Sequence, residues 1–142
     1  YNAVIGYMRA IGITDLDLND SSPGFSSFTP LSSVRLMEDL RRARILTSAD
    51  CRYILSLMAN VIPDQQVGVG DTAPPGATWA MKIGYGIGGD DLWLMNAMGT
   101  VAYHGHAYDI AIYSQSDGDF ATSTTLVDNL CRQAVQALVG TP

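Results

Sequence analysis

Trp79-Ala80-Met81-Lys82-Ile83-Gly84-Tyr85 carries the only lysine of the chain. Thr78–Tyr85 reads as a strand, apolar for most of its length, that runs into a glycine-rich turn over Gly84–Asp91. A lysine set in such a strand has two physical readings. A desolvated ammonium is costly without an anionic partner, so a buried lysine marks a group kept for a purpose. On an edge strand, the same residue merely discourages pairing with other chains. Spacing alone leaves the two side by side.

Downstream, Leu92–Tyr103 and Ala107–Gln115 read as two more strands. They are joined by the tight connection His104-Gly105-His106, and Ser116-Asp117-Gly118-Asp119 forms a further turn. Ala121–Val139 is then an amphipathic helix with Leu126, Leu130, Cys131, Val135 and Leu138 directed inward. Upstream, Asn2–Ile11 fits a short helix with Val4, Ile5, Met8 and Ile11 on one face and Gly12 as its stop. Thr14–Phe28 is a polar loop, longer than most connections, and such loops tend to be functional. Thr29-Pro30 opens a second helix, Thr as N-cap and Pro at the first helical position. Leu31, Val34, Met37 and Leu40 form its apolar stripe. A third helix starts at Thr47 or Ser48, with Cys51, Ile54, Leu55, Met58 and Val61 apolar, and Pro63 closes it. Val67–Gly76 reads as a loop.

Helices first, then a three-stranded antiparallel meander, then one covering helix is an α+β pattern. It forms a single partial domain over 1–142, with a helical part at 1–62, an Ω-like loop at 14–28, and strands plus helix at 77–142. Three strands under one helix leave two open edges, so further strands are expected beside them from sequence outside this chain. The opening Tyr1-Asn2-Ala3 reads as the interior of a longer protein.

Composition narrows the function. Of 142 residues, 8 are Lys or Arg and 14 Asp or Glu, for a net charge of -6. Nucleic acid and anionic membrane surfaces attract basic proteins, so neither is expected as a partner. There are seven Arg to one Lys, and thirteen Asp to one Glu, Glu38. Any scheme that needs two lysines is excluded by counting. The longest stretch without Asp, Glu, Lys or Arg, Leu92–Tyr108, contains Asn96, His104 and His106 and makes a poor membrane span. Cys51 and Cys131 match no metal spacing. Two buried thiols or one long-range disulfide both fit, the thiols slightly better because both positions fall in helical patterns.

Two motifs weaken on inspection. Gly84-Tyr85-Gly86-Ile87-Gly88-Gly89 fits G-x-G-x-x-G formally, yet the dinucleotide fingerprint needs a helix after it and a strand follows here. His104 and His106, with Asp109 nearby, bracket a tight turn and read as solvated turn residues rather than metal ligands. No metal or cofactor is called for. The same two histidines are the only ones available to a Ser-His-Asp triad, and there is no G-x-S-x-G elbow.

The order of elements resembles the C-terminal half of the penicillin-recognising serine hydrolases, the class A β-lactamases and their DD-peptidase relatives. Gly6-Tyr7-Met8-Arg9-Ala10-Ile11-Gly12 is similar to the family's helix before its Ω-loop. Phe28-Thr29-Pro30-Leu31-Ser32-Ser33-Val34 resembles the T-T-P start of the helix that follows. Trp79-Ala80-Met81-Lys82-Ile83-Gly84 is similar to the strand with the K-T-G or K-S-G box. The resemblance implies that Lys82 helps hold a substrate carboxylate and shapes the field at the nucleophile. It implies that Gly84 gives the substrate backbone room and that the Tyr85 backbone N–H serves the oxyanion hole. Asp20 falls roughly where class A enzymes place the Ω-loop glutamate that activates the deacylating water.

The departures are equally specific. Ile83 stands where the box has a hydroxyl residue, which removes one hydrogen bond to a substrate carboxylate and places an apolar group in the substrate region. No S-x-x-K exists, because Trp79 lies three residues before the only lysine, and no S-D-N occurs. The resemblance therefore implies a partner: the missing N-terminal half of the same fold, which would supply the serine. With it would come a small-molecule or peptide substrate and an extracytoplasmic location, cell envelope or secreted. The alternative is a degenerate, non-catalytic envelope protein that binds a ligand or a protein partner. A third reading is an unrelated α+β interaction domain.

Overall fold

The computed structural model describes residues 2–19 and 21–139. Helix α1 (Asn2–Ala10) is followed by the loop, which contains a 3-10 turn at Pro23–Phe25, and then by α2 (Pro30–Arg41) and α3 (Ser48–Met58). A second 3-10 turn (Pro63–Gln65) and the short helix α4 (Val69–Thr72) lead into β1 (Thr78–Ile87). β2 (Trp93–Tyr103), β3 (His106–Asp117) and α5 (Phe120–Val139) complete the chain. The sheet order is β1-β2-β3, antiparallel throughout, so the α+β reading stands.

The helix starts follow the capping chemistry. Thr29 accepts a hydrogen bond from Ser32 N–H, with Pro30 at the first turn, and Thr47 caps α3 by accepting from Asp50 N–H. Three expectations need correction. The glycine turn begins later than Gly84, because Gly84 and Gly86 remain in the β1–β2 ladder. The Val67–Gly76 segment contains α4, whose entry is set by Gly68 at φ +84°, a backbone state that side chains disfavour. A Cβ at Gly68 would also lie 2.8 Å from the Ala97 Cβ.

The third correction concerns the helix faces. The ridge of α5 that meets the sheet is Ser123, Val127, Cys131 and Val135, while Leu126, Leu130 and Leu138 are exposed. In α2 the buried positions are Ser32, Ser33, Met37 and Leu40, and Leu31 is exposed. Hydrophobicity ranks leucine above serine, but close helix–sheet approach favours small residues whose hydroxyls have partners. Ser33 Oγ lies 2.6 Å from the Tyr113 hydroxyl, and Ser32 Oγ donates to Asp15 at 2.7 Å. No residue of α1 is buried.

Side chains alternate across the sheet. Met81, Ile83, Met95, Ala97 and Val101 point to the α5 side and form the core with Val127, Cys131 and Val135. Both cysteines are free and buried, Cys131 in this core and Cys51 in α3. Burial pushes the Cys131 thiol up, against a hydrogen bond from Thr72. Lys82, Gly84, Asn96, Met98 and Tyr113 lie on the opposite face by the same alternation. There α2 is fastened to β3 by Arg41, which donates to both carboxylate oxygens of Asp109 at 3.2 and 2.7 Å.

The loop between α1 and α2 is tied at its base. Asp17 and Ser27 exchange backbone hydrogen bonds at 2.8 and 2.9 Å. The Asp15 carboxylate accepts from Thr29 N–H at 2.9 Å and from the Ser32 hydroxyl at 2.7 Å. Hydrogen bonding to the Thr29 side chain first, then to the Ser32 hydroxyl and the Thr29 N–H, holds the Asp15 carboxyl down at about 2. A depressed folded value means that its stabilisation is complete above the unfolded carboxyl range and is lost as pH falls toward the folded value. Acid titration of the folded protein, followed at loop resonances by NMR, should show loosening between about pH 4 and pH 2, and Asp15→Asn should remove that step.

Gly99 sits opposite Met81, and a Cβ there would lie 2.5 Å from the Ala80 carbonyl oxygen and 3.1 Å from the Met81 Cα. Gly99→Val should therefore cost about 1–3 kcal/mol in urea unfolding. Gly84→Ala, whose Cβ meets nothing within 4 Å, should change stability by less than about 1 kcal/mol.

Candidate functional site

A cleft of about 730 Å³ lies between the loop segment Gly24–Phe28 and the sheet face that carries Lys82. Its floor is Lys82 and Gly84 from β1, Leu94, Asn96 and Met98 from β2, and Tyr113 and Gln115 from the end of β3. The alternation that sends Met81 and Ile83 into the core turns Lys82 and Gly84 the other way.

Lys82 is exposed on this face, and its Nζ donates to the carbonyl of Ile83. Among the described residues that line the cleft, it is the one charged residue. In a chain of net charge -6, that makes the cleft a local place for an anionic group. Gly84 leaves the floor bare, and at Gly86 an added Cβ would only touch the Phe25 ring at 3.9 Å. The backbone of β1 is thus approachable from the cleft side. The Ile83 side chain is 3% exposed and lies in the core. What Ile83 presents at the strand edge is its carbonyl, not the apolar group expected in the substrate region.

The direction of the Tyr85 N–H follows from the ladder. Gly88 N–H donates to the Leu92 carbonyl at 2.7 Å, so this pair faces inward. In an antiparallel ladder inward pairs recur every second residue. Gly86, Gly84 and Lys82 therefore bond to β2, whereas Ile87, Tyr85 and Ile83 turn their N–H and C=O toward the open edge of β1. The capture of the Ile83 carbonyl by Lys82 agrees with that parity. The Tyr85 ring goes to the core side of the sheet, away from the cleft, and packs against Trp93 and Phe120.

Lys82, Gly84 and the edge N–H of Tyr85 are thus within one turn of a single strand. Asp20 lies outside the described residues. Asn96, Tyr113 and Gln115 were missed in the sequence reading. Their signal was available: Asn96 is opposite both Gly84 and Tyr113 in register, so it shares the face of Lys82 once pairing is known. Tyr113 is held by Ser33, which fixes its hydroxyl at the cleft wall. His104 and His106 are exposed on the β2–β3 hairpin, with His104 at φ +49° stacked on Tyr103. Among the described residues, no group of three or more His, Cys, Asp or Glu could hold a metal ion. None of the helices described is long and apolar enough to cross a membrane.

No curated protein matches the chain, but solved structures do. A β-lactamase from Sphaerobacter thermophilus superposes with a TM-score of 0.82 at 19% identity, over 99% of this chain and 54% of its own. The chromosome-encoded β-lactamase of Vibrio parahaemolyticus gives 0.82 at 14% identity, over 99% and 56%. PBP-A gives 0.79 at 18% identity, over 96% and 50%. At these identities the likeness is one of fold, and the chain spans about half the length of each structure. The family model described as the beta-lactamase enzyme family matches residues 1–138. The three-stranded sheet, its covering helix and the helix–loop–helix beneath it are those of one half of that fold, and the chain belongs to the beta-lactamase enzyme family.

Proposed function

We propose that this chain is the C-terminal portion of a β-lactamase-like serine hydrolase of the cell envelope, acting on an amide or ester through a serine supplied by an upstream half. The observation that carries this reading is the composition of the β1 edge. A lone cation, a bare glycine and an outward backbone N–H follow one another on a strand that, among the described residues, pairs with no strand on that side.

The chemistry requires little more from this half. An upstream serine oxygen adds to the carbonyl carbon, and the electron pair of the C=O moves onto oxygen. The Tyr85 N–H stabilises that oxyanion by donating to it, and the ammonium of Lys82 favours both the developing charge and a substrate carboxylate. Collapse expels the amine or alcohol, which takes up a proton, and leaves an acyl-serine. Water then releases the acid and restores the serine. By the family resemblance, Asp20 takes the part of the base that activates that water. Gly84 lets the substrate lie against the strand. Family membership supports placement outside the cytoplasm, and half coverage of the matched structures supports an N-terminal half of the same fold as the partner.

A second reading is favoured by Ile83: with no hydroxyl at the box, the fold serves as a non-catalytic envelope protein that binds a ligand or a protein. A fluorescent penicillin separates the two. With the full-length protein, hydrolase function should give a covalent band and the matching mass increase on one serine-containing peptide. Lys82→Gln should slow that labelling by about 100-fold or more, as loss of a transition-state charge partner does. No labelling by penicillins or by general serine-hydrolase probes, in a folded preparation, overturns the enzyme reading in favour of the binding protein.

A further inference from the structure

On the side of the sheet away from the cleft, the end of β1–β2 is not covered by α5, which begins only at Phe120. Three aromatic rings gather there. Phe120 lies edge-on to Tyr85 at 5.3 Å and to Trp93 at 5.2 Å, and Tyr85 and Trp93 are 6.4 Å apart at 41°. Tyr85 is 48% exposed and Phe120 38%. An edge-to-face contact occupies only one face of a ring, and the exposure of Tyr85 and Phe120 leaves other ring surface open to a ligand.

The rim of this patch is acidic. Asp90 and Asp91 precede Trp93 in the hairpin, and Asp119 precedes Phe120; Asp117, opposite Trp93 in register, is buried and accepts from the Ser114 hydroxyl at 2.7 Å. Between Lys82 and Arg132 the chain has no Lys, Arg or Glu and six Asp. One of the six, Asp109, is paired with Arg41. Lys82 belongs to the other face, tied to the strand edge, so it does not neutralise the rim. The Ser116 hydroxyl holds the Asp90 carboxyl below its ordinary range, and the backbone N–H of Thr122 does the same for Asp119.

We propose that the Tyr85–Trp93–Phe120 patch docks the alkylammonium side chain of a basic peptide segment. A cation over tilted aromatic faces gains from the ring quadrupoles, and three exposed carboxylates at the rim, those of Asp90, Asp91 and Asp119, supply the opposite charge. The surface is separate from the cleft, and its occupancy requires no acyl transfer, so it stands whether or not the chain belongs to an active hydrolase.

The test uses full-length protein carrying Trp79→Phe, so that Trp93 reports without the other tryptophan of this chain. The probe is acetyl-Ala-Lys-Ala-amide, followed by the indole N–H signal of Trp93. The lysine peptide should shift that signal saturably, and salt at about 1 M should weaken binding. The isosteric norleucine peptide should give no saturable shift. Tyr85→Leu should weaken binding about 3-fold or more, while Tyr85→Phe, which keeps the ring, should not. Asp91→Asn, in an exposed turn that tolerates Asn at φ +62°, should weaken it about 2-fold. Equal binding of the norleucine peptide, no shift with the lysine peptide, or full binding by Tyr85→Leu overturns the proposal.

Discussion

The register of β1 against β2 is the constraint on which the rest depends. Lys82 pairs with Met98 and Ile83 with Ala97, and that choice sends one residue to each side of the sheet. A slip by one position would bury the ammonium among Met95, Val127 and Cys131 and expose Ile83. Desolvating an unpaired cation would cost several kcal/mol, so the core itself enforces the register. The same register aims the Tyr85 N–H outward and leaves Gly84 on the cleft floor. Core packing and the make-up of the cleft floor are thus fixed by one alternation.

The two faces of the sheet are held by different means. On the α5 side the bond is apolar burial, tight enough that a Cβ at Gly68 would lie 3.2 Å from Val127. On the α2 side it is largely polar: Ser33 to Tyr113, Ser32 to Asp15 and Arg41 to Asp109. Directional bonds suit the face that carries the cleft, because they place the loop and the cleft wall in a defined position without filling the space between. Asp15 links the two, joining the base of the loop to the first turn of α2.

The order of elements, the caps and the antiparallel meander were legible in the sequence because each rests on local rules: Thr before Pro, Pro63 as a stop, glycine and aspartate at the hairpins. Lys82 was legible because it is the only one of its kind. Helix faces were less so. Leu126 and Leu130 looked buried by hydrophobicity, but the ridge of α5 that is buried is Ser123, Val127, Cys131 and Val135. Asn96 and Tyr113 stayed hidden because they matter only through their neighbours across the strands.

The sequence by itself determined the half-fold and its missing chemistry, since one lysine cannot serve two motifs and no local pattern supplies the serine box. The tertiary structure decided which side of the strand each residue serves. It moved Ile83 from the expected substrate region into the core, brought the loop at Gly24–Phe28 over Lys82, and gathered Tyr85, Trp93 and Phe120 from three elements. Those outcomes depend on cross-strand pairing and on helix–sheet distance. Both are contacts between residues far apart in the chain, which no local period encodes.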